Sequence, residues 1–233
     1  MSDLQAKLTE RDRELEIYMR FLALIDQKSA ALRVPYGEVW RTRRVDERIV
    51  KILKANFFLL LYNLVEASVR DGFRNLYSAM RADGSTVRAI KEELRLLWID
   101  AAVDKLTPQT ANQDSYREVT RRLVKGAVDD VAASLRIEDL RFGGNLDAAS
   151  IRRTCQEHGV SFKTHPRARG GEKLRLVRDR RNDLAHGSLS FAECGRDYTL
   201  PQLVEIRRET LVFVRGILRN VERYAAKKTF RSA

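Results

Sequence analysis

The stretch from Val45 to about Met80 contains no proline, and its apolar residues Ile49, Ile52, Leu53, Leu60 and Leu64 recur at helical spacing around a block at Phe57. Such a segment predicts one long helix, and a helix of that length serves as the spine of a bundle. Helix breakers are scarce elsewhere too, with 4 prolines and 12 glycines in 233 residues. The expected fold class is therefore all-α, a helical bundle built as a single domain over residues 1–233. Residues 45–228 would form its core and residues 1–44 an N-terminal helical extension.

The extension starts with Ser2 or Asp3 as a cap, followed by Leu4, Leu8, Leu15, Tyr18, Leu22 and Ile25 at three- and four-residue steps, and fades near Pro35-Tyr36-Gly37. After the long helix, Asp83-Gly84-Ser85 marks a break, with Ser85 as N-cap of a helix from Thr86 to about Lys105 that Thr107-Pro108 ends. A fourth helix runs from Asp114 through Val131, before the Gly143-Gly144-Asn145 turn, and a short one spans Leu146 to Glu157, closed by Gly159. Val160 to Gly171 reads as a basic loop. The next helix begins near Glu172 and stops at Gly187, a residue suited to the left-handed position that closes helices. Ser188 to Ala192 alternates polar and apolar residues, an irregular or extended insertion, and Thr199 with Pro201 opens a last helix to about Lys228.

Lys and Arg number 44 against 32 Asp and Glu, a net charge of +12 that favours a polyanionic partner, nucleic acid first. The N-terminus lacks an apolar leader, and the longest purely apolar run, Phe57 to Tyr62, is far shorter than the ~20 residues of a membrane span, so a cytoplasmic protein without membrane contact is expected. Cys155 and Cys194 have no paired-ligand spacing and read as ordinary thiols. No cofactor or metal set is suggested.

Half of the charge excess lies between Lys163 and Arg181, where eight basic residues face only Glu172 and Asp179. On a helix, Leu174, Val177 and Leu184 form a stripe whose missing member is Arg181. A guanidinium in that slot needs either a carboxylate from another helix or an anionic ligand. Asn182 and His186, four apart, share a face, while Arg181 lies about 140° from His186 on an ideal helix.

Arg181-Asn182-Asp183-Leu184-Ala185-His186-Gly187 resembles the HEPN superfamily, whose ribonucleases carry Arg, a polar residue, a few variable positions and His at the end of a late helix. Gly195-Arg196-Asp197-Tyr198-Thr199 and Tyr62-Asn63-Leu64-Val65-Glu66 are similar to the stand-alone prokaryotic HEPN-nuclease branch. The resemblance implies a metal-independent endoribonuclease, usually dimeric, with two motifs facing each other across the interface, acting as a toxin or phage-defence effector. The chemistry of the residue types agrees. Histidine is the side chain whose ordinary pKa lets it both accept and donate protons near neutral pH, which makes His186 the acid–base candidate. Arg181 would hold the phosphate through its planar fork, Asn182 would orient His186 or the phosphate, and Arg180, Arg178 and Lys173 would bind the RNA backbone.

Glu66 and Asn63 could line the cleft and hold Arg181 or His186. His158 and His165 read as surface histidines, Trp40 and Trp98 as core. In HEPN toxins paired with a nucleotidyltransferase antitoxin, a Tyr stands two places after the motif His; here that position is Ser188. Control would then fall to a binding antitoxin or another partner protein. The competing readings are a non-catalytic HEPN module that binds nucleic acid or a nucleotide, against which the intact motif argues, and a helical DNA-binding protein, for which no helix-turn-helix signature is present.

Overall fold

The computed structural model describes residues 2–103, 113–133, 135–136 and 145–232. Its order is α1 (Asp3–Ile25), β1 (Ala31–Tyr36), β2 (Val39–Arg44), α2 (Glu47–Ala82), α3 (Glu92–Val103), α4 (Gln113–Val128), α5 (Ala148–Glu157), α6 (Glu172–His186), α7 (Phe191–Arg196) and α8 (Leu200–Ala226). The fold is all-α, as the proline-poor sequence predicts. The expected stop at Thr107-Pro108 and the Gly143-Gly144 step lie outside the described residues. Contacts divide the chain into two compact units, with boundaries inside α2, α5 and α8, before Leu146 and before Thr164.

The first unit comprises Met1–Ser68, Leu146–Ala148 and Thr164–Arg215. Ser2 caps α1 by accepting from the Gln5 N–H, and Leu4, Leu8, Leu15, Met19, Leu22 and Ile25 form its buried stripe. Asp12 interrupts that stripe and is neutralised by α8, accepting from Arg207 Nε at 2.8 Å and Arg215 Nη2 at 3.1 Å. Tyr18 donates its hydroxyl to the Leu53 carbonyl, joining α1 to α2. The Asp46 carboxylate accepts from the Arg48 N–H at 2.7 Å and caps the first turn of α2. Phe57, Phe58 and Leu61 are fully buried, each stabilising the unit by about 1.5–3 kcal/mol. By length and composition α2 is apolar enough to cross a membrane, and half of its most apolar window is buried inside the protein.

Residues 31–44, placed in the helical extension by the sequence reading, instead form an antiparallel hairpin, with Ala31 opposite Arg44 and Tyr36 opposite Val39. Every position of both strands is exposed. Trp40, expected in the core, is 62% exposed on β2. Runs of Leu, Val, Tyr and Trp flank Gly37-Glu38, and such residues favour strands over helix when a two-residue loop joins them.

The second unit comprises Val69–Asn145, Ala149–Lys163 and Gly216–Ala233. Its core draws Phe73, Leu76 and Met80 from α2, Ile151 from α5 and Ile217, Leu218 and Val221 from α8. Trp98 is buried here, as expected. The third helix begins at Glu92 rather than Thr86 because other backbone claims the intervening groups: Val87 N–H donates to the Val131 carbonyl, Ala133 N–H to Ser85 and Lys91 N–H to Phe230, each at 2.9 Å. Ser85 is therefore no N-cap. It donates to Asp83, whose carboxyl is held far below the usual carboxylate range by Arg231, Lys228 and Ser85.

His158 is fully buried, which corrects its assignment to the surface. Its Nδ1 stands 2.6 Å from the Thr154 carbonyl and its Nε2 2.6 Å from the Tyr77 hydroxyl. A carbonyl only accepts, so Nδ1 carries the proton and Tyr77 donates to Nε2. Burial pushes the His158 pKa down to about 4, so the ring is a neutral core element. His165 is exposed as expected and caps a 3₁₀ turn at Pro166–Gly171 through the Arg167 N–H.

Candidate active site

Glu172 to His186 folds as the periodicity predicts: Leu174, Val177 and Leu184 are buried, and Gly187 closes the helix at φ 71°. Arg181 fills the remaining place on that stripe and is half-buried. Its guanidinium carbon lies 4.8 Å from the centre of the Tyr62 ring, and its Nη1 donates to Asn182 Oδ1 at 3.0 Å. Tyr62 is itself buried, with its hydroxyl accepting from the Leu146 N–H at 3.0 Å. Neither partner of Arg181 carries charge. Among the described residues no carboxylate pairs with it, so the positive charge is supported by a ring face and an amide but not cancelled.

The neighbouring arginines differ. Arg178 bonds Asp179 at 2.9 Å and 2.6 Å and also meets Asp147. Arg180 donates to the Tyr198 hydroxyl at 3.0 Å and to Asp183 at 2.8 Å. Both guanidinium pKa values are raised, that of Arg178 chiefly by its hydrogen bond to Asp179 and that of Arg180 by its bond to Tyr198. Arg175 lies 3.8 Å from Asp179, and Arg169 lies 3.4 Å from the buried Glu209. Much of the basic run is thus internally paired, which its charge count does not reveal.

His186 is exposed in the last turn of α6. Arg181 resting on Tyr62 while His186 faces solvent is the separation that the helical wheel predicts. Asn182 contributes its amide oxygen to Arg181, so one of its contacts holds the guanidinium. Lys173 lies at the opposite end of α6, about 20 Å along the axis from His186. Glu66 is half-buried one turn beyond Tyr62 on the same face of α2. Asn63 is exposed and lines a cavity with Arg11, Glu14 and Tyr18 of α1, facing that helix.

The short irregular insertion expected after the motif helix spans Gly187–Ser190, and α7 begins at Phe191, inside the Ser188 to Ala192 stretch. Ser190 caps α7, and Glu193 returns hydrogen bonds to Ser190, a complete capping box. Gly195 packs so closely on α2 that a Cβ added there would lie 1.7 Å from the Lys51 carbonyl oxygen. Tyr198 meets Phe58 edge-on, with ring centres 4.8 Å apart, and thereby anchors the residue to which Arg180 donates. Arg48 and Lys51 on α2 face Ser190, Glu193 and Arg196 across a shallow cleft. Cys155 and Cys194 are free and buried, with burial pushing their thiols up to about 12 and about 11. Among the described residues no group of three or more His, Cys, Asp or Glu side chains is placed to hold a metal ion.

The residues that sequence reasoning did not assign are Tyr62, Asp147, Asp183 and Tyr198. Tyr62 and Tyr198 sit in the two segments that carry the family resemblance beyond the motif, so the signal was present without a role attached. Asp147 had none, being one acid in a turn far from α6 in sequence. No curated protein and no solved structure shows significant similarity to the chain. The family model of the HEPN_MAE_28990-like HEPN domain matches residues 1–230, nearly the whole chain. With its all-α architecture agreeing, the protein belongs to that family of the HEPN superfamily.

Proposed function

We propose that the protein is a metal-independent endoribonuclease whose reacting groups are Arg181 and His186. The observation that carries this reading is the contrast along α6: Arg178 and Arg180 are matched by carboxylates, whereas among the described residues Arg181 is positioned by Asn182 and Tyr62, neither of which carries charge. Its remaining guanidinium donors suit two oxygens of a phosphodiester. The RNA 2′-hydroxyl attacks the adjacent phosphorus, the bond to the 5′-oxygen breaks, and the products are a 2′,3′-cyclic phosphate and a 5′-hydroxyl. Arg181 stabilises the charge developing on the phosphoryl oxygens. His186 moves the proton, removing it from the 2′-hydroxyl or delivering it to the departing 5′-oxygen.

One exposed histidine cannot stand on both sides of one phosphorus, so the complete site uses two. A two-fold axis beside the C-terminal end of α6 supplies the second His186 and a second Arg181, making an isologous homodimer the active unit. The family supports a nuclease or nucleotide-related role, and its superfamily includes RNases. We assign the biological role of a toxin or phage-defence effector, restrained by a partner protein. The test incubates purified wild type and His186→Ala with total RNA: wild type cleaves and the variant, folded by circular dichroism, does not. A folded His186→Ala chain that cuts at the wild-type rate overturns the assignment.

A further inference from the structure

Among the described residues the β1–β2 hairpin is buried against no other element at any position. A two-stranded ribbon is marginally stable alone and ordinarily lays one face on a core, yet here both faces are exposed along their whole length. The register sorts its side chains. Arg33, Trp40 and Arg44 share one face, and Tyr36, Arg41 and Arg43 share the other. Each face therefore presents one aromatic ring beside two arginines. Arg41 lies 3.9 Å from the centre of the Tyr36 ring and Arg33 lies 5.9 Å from that of Trp40. Trp40 is 62% exposed and Tyr36 58% exposed. Among the described residues none of the four arginines is paired with a carboxylate, and Glu38 in the turn is the hairpin's single acid.

We propose that this hairpin is a contact arm for single-stranded RNA, with Trp40 and Tyr36 stacking on bases and Arg33, Arg41, Arg43 and Arg44 binding phosphates. Rings flanked by cations are what an unpaired strand requires, because its bases expose their faces while its backbone carries one charge per nucleotide. A duplex hides those faces. A second copy of the hairpin would set four arginines against four arginines, and like charges oppose that pairing. The arm also joins the motif's surroundings: Arg44 leads directly into α2, whose Arg48 and Lys51 line the cleft with Arg196 of α7, just beyond His186 in the chain. The choice of RNA over other single strands rests on the nuclease reading above.

The test uses the full chain carrying His186→Ala, so that binding is read without cleavage. Anisotropy of a fluorescein-labelled oligouridylate should show affinity weakened about fivefold or more by Trp40→Ala and by Tyr36→Ala. Replacing Arg33, Arg41 and Arg43 with Gln should weaken binding and flatten its salt dependence. As a measurement on the intact hairpin, a Trp98→Phe chain retains Trp40 as its sole tryptophan, and RNA should quench its emission. Unchanged affinity in these variants, absent quenching, or equally tight binding of duplex RNA overturns the proposal. Variants that alter the oligomeric state with RNA affinity intact assign the face to a second copy and overturn it too. If wild type fails to cleave RNA but hairpin-dependent binding holds, the nuclease reading falls and the arm stands. If wild type cleaves and the hairpin variants bind like their parent, the arm alone falls.

Discussion

A guanidinium resting on a ring is held through the π cloud rather than through its N–H groups, and this is how Tyr62 can fix Arg181 while leaving donors for a ligand. Tyr62→Phe keeps the ring and loses the hydroxyl that accepts from Leu146, so stability should fall by about 1 kcal/mol with single-turnover cleavage near wild type. Tyr62→Leu removes the ring and should slow cleavage at least tenfold; an equal effect of both variants contradicts the ring's role. The place of Arg181 on the stripe, the Asn182–His186 spacing and the Gly187 stop are legible in the sequence because each is local to one helix. The ring under Arg181 is not, because it lies on α2, remote in sequence. His158 escapes sequence reading for a similar reason: its Gly159 neighbour signals a helix end but says nothing of what covers it. Because the folded His158 pKa is depressed to about 4, the native state binds fewer protons than the unfolded chain below the ordinary histidine pKa of about 6.5. The stability it contributes is present above about 6.5 and is lost as pH falls toward about 4. Urea titrations should show wild type losing about 2 kcal/mol more than His158→Gln between about pH 7.5 and pH 5, and parallel pH profiles contradict the assignment.

Among elements, α7 fixes the chain just beyond the motif. The Ser190–Glu193 pair is a capping-box signature readable in the sequence, yet the short alternation from Ser188 to Ala192 masks it, because five residues fit a strand period and the start of a helix equally well. The hairpin is hidden for the opposite reason: the turn at Gly37 is visible, but Pro35 and the adjoining helix obscure the strand pairing around it. Gly195 holds α7 against the first turns of α2 at a separation that excludes any Cβ. Gly195→Ala must push the Lys51 backbone away, so it should destabilise the protein by about 1–3 kcal/mol or more. It should also lower RNA cleavage by disturbing Tyr198 and the Arg180 it binds. A Gly195→Ala chain with wild-type melting temperature and activity contradicts this packing account.

For the whole molecule, the proposed mechanism requires that two chains complete one centre. Light scattering at micromolar concentration should give about twice the chain mass of 26.9 kDa, with activity falling on dilution below the dimer dissociation constant; a monomer with undiminished activity contradicts the shared site. The net charge of +12 overstates the cationic surface open to an anionic ligand, since acids already match much of the run before the motif. What distinguishes the site is Arg181, which meets no carboxylate among the described residues, beside the exposed His186, and the chemistry proposed for them depends on the substrate's own 2′-hydroxyl. The most direct test offers the purified protein a synthetic oligoribonucleotide and its all-2′-deoxy counterpart, both in EDTA, and identifies the product ends. The proposed mechanism calls for cleavage of the RNA alone, leaving 2′,3′-cyclic phosphate and 5′-hydroxyl ends. Cleavage of the deoxy strand, or activity that vanishes in EDTA and returns with magnesium, contradicts it.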